Sequence, residues 1–169
     1  MAPNYNKKIT RQMDYDEFKE GLDDLPPDRQ AFLSVLFFAG VRVSEALALT
    51  SNDISCTSDK VYIQFFRLKG SKQTDPIPIP STPYTKWLCE QDGPLFPWCR
   101  KTGYNIVHRA FEGFYPHFFR QNRYTDLAEK FSLATVVSYS GLNPLSVEYY
   151  ITKVDIKKVG KSLQEELKS

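Results

Sequence analysis

Prolines alternate with isoleucines from residue 76 to residue 80, and this PIPIP pattern holds the backbone in an extended conformation. The preceding segment 60–67, KVYIQFFR, is rich in residues that favour β-strands. A glycine-containing turn at 68–72, LKGSK, separates the two segments and carries Lys69 and Lys72. The pattern predicts a β-hairpin, or two strands of a small antiparallel sheet, with these lysines at its tip.

Helical spacing of apolar residues marks the chain before this hairpin. Asp14 is placed to cap a short helix whose Phe18 and Leu22 face inward. A second helix restarts at the proline pair 26–27 and ends at Gly40, as helices often end at a glycine. The predicted buried stripe of this second helix comprises Ala31, Phe32, Val35, Leu36 and Ala39.

The segments after the hairpin are also mostly helical. We expect a short helix at 83–89, a turn at 93–98 whose aromatic residues fill the core, and helices at 104–114 and 124–131. In the helix 104–114 the inward-facing residues are Ile106, Val107, Ala110 and Phe111. The fold class is therefore mainly α, an α+β domain with a small antiparallel β-sheet or hairpin.

Length and composition indicate one ordinary globular domain. The chain has 169 residues, of which 41% are hydrophobic and 25% charged, and we expect a polar lead-in at 1–13 followed by a domain at 14–169. No apolar run is long enough to span a membrane, and residues 1–13 do not have the apolar core that is typical of a signal peptide, so we expect neither. The net charge of +2 means that a nucleic-acid-binding surface would need its positive charge on one face. The three cysteines, Cys56, Cys89 and Cys99, lack metal spacing and are expected to be reduced intracellular thiols.

Arg42 lies in the run AGVRVSEAL, just before the start of a helix that Ser44 can cap. Such a turn presents free backbone amides and favours anions. An arginine there, flanked by apolar residues, is well placed to reach a phosphate. The alternative is a surface ion pair between Arg42 and Glu45, which would contribute little stability.

His117 and Arg120 lie three residues apart in the sequence HFFR, so on a helix they share one face. Arg120 offers a planar fork of donors to a phosphate, and His117 offers a proton donor or acceptor near neutral pH. The alternative is that His117 packs in the core and Arg120 forms a salt bridge. His108 and Arg109 present a similar choice between a phosphate contact and a solvated helix face.

Four features in this order resemble the tyrosine recombinases, the family of phage integrases and Xer-type enzymes. They are the arginine box at Arg42, the lysine turn at Lys69, the HxxR box at His117 and Arg120, and a tyrosine near the carboxyl end. The region around HFFR and the tyrosines is most similar to archaeal integrases, including those of archaeal viruses and plasmids. The resemblance implies a recombinase catalytic domain without the amino-terminal core-binding domain.

The resemblance departs from the family pattern at two positions. Leu142 occupies the place where the family has histidine or tryptophan after a glycine, and Gln121 stands where a histidine usually follows the arginine. Asn143 or Tyr139 is a candidate for the hydrogen bond that is missing at Leu142. The departure at Leu142 and the low net charge favour a competing hypothesis, a DNA-binding module of the same fold that has lost cleavage.

In the resembled family a tyrosine attacks the scissile phosphodiester and forms a 3′-phosphotyrosyl link. Asn143 and Pro144 are a good N-cap and first residue for the helix that carries the tyrosines. Counting from Pro144 favours Tyr150 as the nucleophile, and Tyr149 is the alternative. The resemblance gives Arg42 and Arg120 the role of bracing the phosphate, Lys69 that of general acid, and His117 that of positioning the phosphate or exchanging a proton. It implies neither a metal nor a cofactor.

The implied partner is double-stranded DNA carrying an attachment-type site. The candidate DNA contacts are Lys72, Arg67, His108, Arg109 and Arg123. The tail after Tyr150 has an apolar stripe on a charged helix, so it folds back on its own domain or docks on a neighbouring copy on DNA. The expected location is intracellular, in the cytoplasm or nucleoid of the host cell, with no membrane association.

Overall fold

The computed structural model describes residues 12–67 and 73–145, and these form six α-helices, two short 3-10 helices and one small sheet. The predicted nucleophiles, Tyr149 and Tyr150, and the predicted hairpin lysines, Lys69 and Lys72, lie outside the described residues. The helices are α1 (Tyr15–Glu20), α2 (Pro27–Ala39), α3 (Val43–Leu47), α4 (Arg100–Ala110), α5 (Pro116–Lys130) and α6 (Leu133–Ser140). The strands are β1 (Ile54–Cys56), β2 (Lys60–Ile63) and β3 (Ile77–Pro80), and the 3-10 helices span Ser51–Asp53 and Lys86–Glu90.

Helix α2 is the centre of the core. Pro27 occupies its first turn, and Gly40 ends it in the left-handed conformation with φ of +65°. The helix packs against α5, α3, β3 and the 3-10 helix Lys86–Glu90, and it is buried on nearly every side. All five residues of the predicted stripe are buried, which confirms the helix and its inward face.

The sheet is antiparallel, with the strand order β1-β2-β3. In β3 the isoleucines Ile77 and Ile79 are buried and the alternate residues, both prolines, are exposed. Val61 and Ile63 are the buried partners of the isoleucines on β2. This alternation is the period of a strand with one face on the core. The predicted small sheet is confirmed, and the structure adds β1 to it.

Helix α5 is one continuous element of 15 residues, although the sequence suggested a separate helix at 124–131. Pro116 starts it, and no glycine or proline interrupts the chain before Lys130. The helix therefore carries the HxxR box and the following segment on the same rigid rod. Its aromatic residues join the core, where Phe119 stacks edge-on against Phe18 and Phe111.

At its amino end the fold begins before the predicted boundary. Met13, the last residue of the expected lead-in, is 5% exposed. The Met13 backbone N–H donates to Asn122 Oδ1 at 2.8 Å, and its carbonyl accepts from Asn122 Nδ2 at 3.1 Å. Asp14 accepts from the Glu17 N–H as the predicted N-cap of α1. The chain is thus tied to α5 from Met13 onward.

The prediction of three reduced thiols is wrong for two of the cysteines. Cys56 of β1 and Cys89 of the 3-10 helix Lys86–Glu90 form a disulfide, whereas Cys99 is an exposed free thiol. The two elements pack directly on each other and bring the Cα atoms to 6.2 Å, within the range that a disulfide requires. The spacing of the cysteines along the chain does not predict this disulfide, because the bond depends on a tertiary contact.

Within the described parts of the chain, each helix is too short or too polar to cross a bilayer.

Candidate active site

Glu45 is a buried carboxylate in the first turn of α3. Its Oε1 atom accepts a 2.9 Å hydrogen bond from the backbone N–H of Arg42, which is the N-cap residue of this helix. Ser44, the predicted cap, lies inside the first turn instead. The short turn between the end of α2 at Gly40 and the start of α3 therefore places the Arg42 side chain beside its own capping carboxylate.

Three guanidinium groups surround this one carboxylate. Arg42 Nη1 lies 3.7 Å and Arg120 Nη1 3.8 Å from Glu45 Oε1, and Arg67 Nη1 lies 4.0 Å from Oε2. The Glu45 side chain is 0% exposed and those of Arg120 and Arg67 only 2% and 1%, whereas that of Arg42 is 23% exposed. Arg42 and Glu45 therefore do form an ion pair, but the prediction that this pair lies on the surface is wrong, because the Glu45 side chain is buried. Among the described residues, three guanidinium groups thus lie within 4.0 Å of one carboxylate, and such a concentration of positive charge attracts anions.

Arg120 is held from two further directions. Its Nη1 donates a 2.9 Å hydrogen bond to the carbonyl oxygen of Gly40, and its guanidinium carbon lies 4.8 Å from the centre of the Tyr124 ring. Tyr124 lies four residues along the same helix, so the ring and the guanidinium share one face of α5. These contacts fix the plane of the fork, as recognition of a tetrahedral oxyanion requires.

His117 lies in the first turn of α5, one turn before Arg120, and it is exposed to solvent. The protein around the ring nevertheless desolvates it enough to lower its pKa below the usual value of 6.5, and the positive charges of Arg120 and Arg42 lower the pKa further. The two arginines of separate sequence boxes thus act electrostatically on the same imidazole. A neutral imidazole near neutral pH can accept or donate a proton.

Of two further predicted DNA contacts, Arg67 is buried and Arg123 is half-buried. Arg67 is 4% exposed, and its predicted contact with DNA stays a prediction. Arg123 forms a 2.9 Å ion pair with Asp126 and donates to the Phe37 carbonyl at 3.1 Å. Its guanidinium also lies 5.1 Å from the centre of the Phe37 ring. These contacts hold Arg123 between α5 and α2, and its role on DNA stays a prediction.

Two other candidate contacts are on the surface. His108 and Arg109 lie in the last turn of α4, and both are exposed. The His108 ring meets the Tyr115 ring edge-on at 4.7 Å, so it is also a packing residue. Both residues are accessible to a phosphate backbone, and their predicted DNA contacts stay predictions.

The segment with the departure from the family pattern follows α6. Leu142 is 6% exposed and packs in a small cluster with Tyr124 and Val136, so it contributes apolar packing at this position. The Tyr139 hydroxyl donates to the Phe38 carbonyl at 3.3 Å and is already used there. Asn143 is exposed, and Pro144 is the first helical residue after it, as predicted.

The residues that sequence reasoning undervalued are the ones that connect the site. The sequence pattern suggests only a weak surface pair for Glu45 and only the end of a helix for Gly40. The available signal is an acidic residue within the apolar run AGVRVSEAL, because a charged side chain that is buried with such a run needs a partner of opposite charge. Among the described residues no cluster of histidine, cysteine, aspartate and glutamate is suited to hold a metal ion.

A scan against protein-family models and a search of curated proteins gave no match. The fold, in contrast, is shared with several solved structures. One is the XerH site-specific recombinase bound to its difH substrate in a pre-cleavage complex, with a TM-score of 0.64 and 17% identity. A second is the XerA recombinase, with a TM-score of 0.60 and 15% identity. A third is the catalytic domain of bacteriophage HP1 integrase, with a TM-score of 0.58 and 17% identity.

The fraction of each chain that the superposition covers shows which part of the solved structures is similar to this protein. The match to XerH covers 88% of this chain and 52% of that one, and the match to XerA covers 91% and 65%. The match to the HP1 catalytic domain covers 89% of this chain and 93% of that domain. The chain thus spans about half the length of XerH and has the fold of a tyrosine recombinase or integrase catalytic domain. These structures give no separate support to the resemblance to archaeal integrases.

Proposed function

We propose that this protein is the catalytic domain of a site-specific DNA recombinase or integrase that cuts and rejoins DNA strands through a 3′-phosphotyrosyl intermediate. The observation that supports this most directly is the meeting of the two boxes. Arg42 and Arg120, from different helices, both contact Glu45 and both lower the pKa of His117. Such a group of donors is what a pentacovalent phosphate with developing negative charge requires.

The proposed reaction exchanges one phosphodiester for another. The phenol oxygen of Tyr150, with Tyr149 as the alternative, attacks the scissile phosphorus. The phenol loses its proton in this step, and His117 accepts that proton. The bond from phosphorus to the 5′-oxygen breaks, and the Lys69 ammonium gives its proton to the leaving oxygen. Arg42 and Arg120 stabilise the non-bridging oxygens. The covalent link conserves the energy of the broken ester, so the proposal includes neither a metal nor a cofactor.

The proposed partner is double-stranded DNA with an attachment-type site, and the proposed contacts outside the arginine cluster are Lys72, His108, Arg109 and Arg123. Several structures of the shared fold are complexes with DNA, among them XerH with difH and the Tn1549 transposon integrase with circular-intermediate DNA. We further propose that the segment after Tyr150 mediates self-association on DNA. An enzyme of this kind would act inside the cell, in the cytoplasm or nucleoid.

A nicked duplex tests the proposal, because the fragment beyond the nick diffuses away after cleavage and traps the adduct. Wild-type protein should form a covalent protein–DNA band on a duplex that carries the natural site. Tyr150→Phe should abolish the band and retain DNA binding, whereas Tyr149→Phe should retain both. The opposite result would exchange the two tyrosines, and an adduct in both variants would place the nucleophile elsewhere.

The second candidate function is a DNA-binding module of the same fold without cleavage. Leu142 favours it, because an apolar side chain replaces a phosphate-facing donor of the resembled family. This function predicts a shift in mobility on the same duplex with no covalent band. Leu142→His or Leu142→Trp would then test whether the missing donor is the reason for the absence of cleavage, because restoring the donor should restore the covalent band.

A further inference from the structure

Arg67 lies in the same cluster as the two arginines of the sequence boxes. Its Nη1 atom is 4.0 Å from Glu45 Oε2, whereas Arg42 and Arg120 approach the other oxygen, Oε1, at 3.7 Å and 3.8 Å. The Arg67 side chain is 1% exposed and that of Arg120 is 2% exposed, so the two guanidinium groups are equally deep in the protein. Arg67 therefore matches a proposed phosphate ligand, Arg120, both in its distance from Glu45 and in its burial.

Three contacts fix the guanidinium group of Arg67 in this place. Its Nη2 donates to the Tyr139 carbonyl of α6 at 3.0 Å and lies 3.5 Å from Thr74 Oγ1. The guanidinium carbon lies 5.3 Å from the centre of the Phe65 ring. Arg120 is held in a similar way, by one backbone carbonyl and one aromatic ring. A guanidinium that is fixed before a ligand arrives loses little freedom when the ligand binds.

Two nitrogen atoms of Arg67 lack an acceptor in the described part of the chain. They are Nε and Nη1, and both are buried. A buried donor without an acceptor destabilises a fold, and an apolar side chain of similar volume is often at least as stable in such a place. Stability alone is therefore a poor reason for an arginine at this position. A bound oxyanion would supply the acceptors that these two donors lack.

The position of Arg67 also bears on the departure from the family pattern at Leu142. Leu142 packs in an apolar cluster and replaces a phosphate-facing donor of the resembled family. Tyr139, whose carbonyl accepts from Arg67, lies in the last turn of α6, three residues before Leu142. A guanidinium thus lies beside the segment from which the resembled family supplies its donor.

We propose that Arg67 is a third catalytic arginine, which donates to a non-bridging oxygen of the scissile phosphate together with Arg42 and Arg120. This inference rests on the proposed function and deepens it at the same site. It gives Arg67 the donor role that Leu142 cannot fill, so cleavage does not require a donor at residue 142. Such a donor contributes most where negative charge develops in the transition state.

The test compares a phosphodiester with the two methylphosphonates, in which a neutral methyl group replaces one or the other non-bridging oxygen. An arginine that acts on one oxygen is no longer needed when that oxygen is absent. On a nicked duplex with the natural phosphodiester, Arg67→Met should slow single-turnover strand cleavage by about 10²–10³-fold, the usual effect of removing one oxyanion donor. On at least one methylphosphonate, the ratio of the wild-type rate to the Arg67→Met rate should fall to about 10 or below.

Arg29→Met is the matched control. Arg29 carries a half-buried guanidinium that lies 6.0 Å from the centre of the Trp98 ring, outside the cluster, so its loss should leave all three rates unchanged. Arg67→Lys keeps a positive charge in the interior and replaces Arg67→Met if that variant does not fold. It should show a smaller defect with the same dependence on the methyl group, because an ammonium cannot reproduce the planar set of donors.

A measurement on the wild-type protein needs no variant. Inorganic sulfate is titrated while the Nε–H resonances of the arginines are followed by NMR. The Arg67 resonance should shift and saturate at the same sulfate concentration as those of Arg42 and Arg120, because one oxyanion contacts all three. An Arg67 resonance that stays fixed while the other two shift overturns the inference.

The outcomes of the cleavage experiment separate this inference from the proposed function. If Arg67→Met cleaves the phosphodiester at the wild-type rate, Arg67 is not catalytic. If the ratio of the two rates is the same on all three substrates, Arg67 only supports the fold. Either result leaves the proposed function standing, whereas a wild-type protein that cleaves none of the three substrates overturns the proposed function and the role of Arg67 with it.

Discussion

The Nη1 atom of Arg120 donates a 2.9 Å hydrogen bond to the carbonyl oxygen of Gly40, 80 residues earlier in the chain. Gly40 is the left-handed residue that ends α2, so the backbone turn that stops the central helix also fixes an arginine of the candidate site. The two features that the sequence presents separately, a helix end and an HxxR box, are thus one structural unit.

Gly40→Ala should be more damaging than the same change at another left-handed glycine. A φ of +65° costs a non-glycine residue about 1–3 kcal/mol. The added Cβ would also lie 3.0 Å from Arg123 Cβ and 3.2 Å from Tyr124 Cε1. Gly93→Ala is the matched control, since Gly93 has φ of +75° and no atom within 4 Å of a Cβ. Urea denaturation should show a larger loss of unfolding free energy for Gly40→Ala; equal losses would mean that Arg123 and Tyr124 move aside freely.

Arg42→Ala and Arg120→Ala should each lower the rate of adduct formation by about 10²–10³-fold, because their donors act mainly on charge that develops in the transition state. DNA affinity should fall far less in both variants. Arg→Lys should also be poorly tolerated, since an ammonium cannot reproduce the planar fork. The control is Arg100→Ala on α4, which removes an exposed guanidinium that stacks on Tyr104. Equal losses of DNA binding and of cleavage would contradict this prediction and would mean that both arginines only contact the DNA backbone.

His117 should stay neutral to a lower pH in the folded protein than in the unfolded chain, because its pKa is lowered. Between the unfolded pKa of about 6.5 and the lower folded pKa, the unfolded chain binds more protons. Stability should therefore decrease as the pH falls through this window, and His117→Gln should remove that part of the decrease. The chain has only two histidines, so NMR titration of His108→Gln reports His117 alone. A pKa at or above 6.5 in that titration would contradict the prediction.

The disulfide predicts one accessible thiol in the native protein, that of Cys99, and three after unfolding and reduction. Cys56→Ser with Cys89→Ser should lower the unfolding free energy by about 2–4 kcal/mol, since the bridge closes a loop of 33 residues in the unfolded chain. Cys99→Ser is the control and should leave the stability unchanged. Three reactive thiols in the native protein would show that the bridge does not form under those conditions. The expectation of an intracellular protein has no support from these cysteines and depends on the proposed function.

Local patterns predicted much of the fold. The stripe of α2, the cap at Asp14, the helix stop at Gly40 and the alternation of β3 all follow from rules that operate within a few residues. The same rules predict a separate helix at 124–131, whereas the structure has one continuous helix from Pro116 to Lys130 that packs against α2.

The candidate site was predictable as a set of residues but not as a network. Arg42, His117 and Arg120 were identified from motifs, whereas the shared partner Glu45 acquires two of its three arginines from distant segments. The burial of Arg67 is hidden from the sequence for a similar reason, since strand alternation does not reveal that its side chain reaches the Tyr139 carbonyl of α6. Tertiary contacts between segments far apart in sequence decide these features, as they decide the Cys56–Cys89 bridge.

The positive charge gathered around Glu45 should make the thermal stability of the protein depend on bound anions. In the described part of the chain, three guanidinium groups lie within 4.0 Å of the Glu45 carboxylate, and folding brings these like charges closer together than they are in the unfolded chain. A tetrahedral oxyanion seated there neutralises that repulsion only in the folded state, so inorganic sulfate or phosphate should raise the melting temperature through linkage. The first measurable sign of substrate recognition should then be a more heat-resistant protein, detectable before any DNA sequence is known.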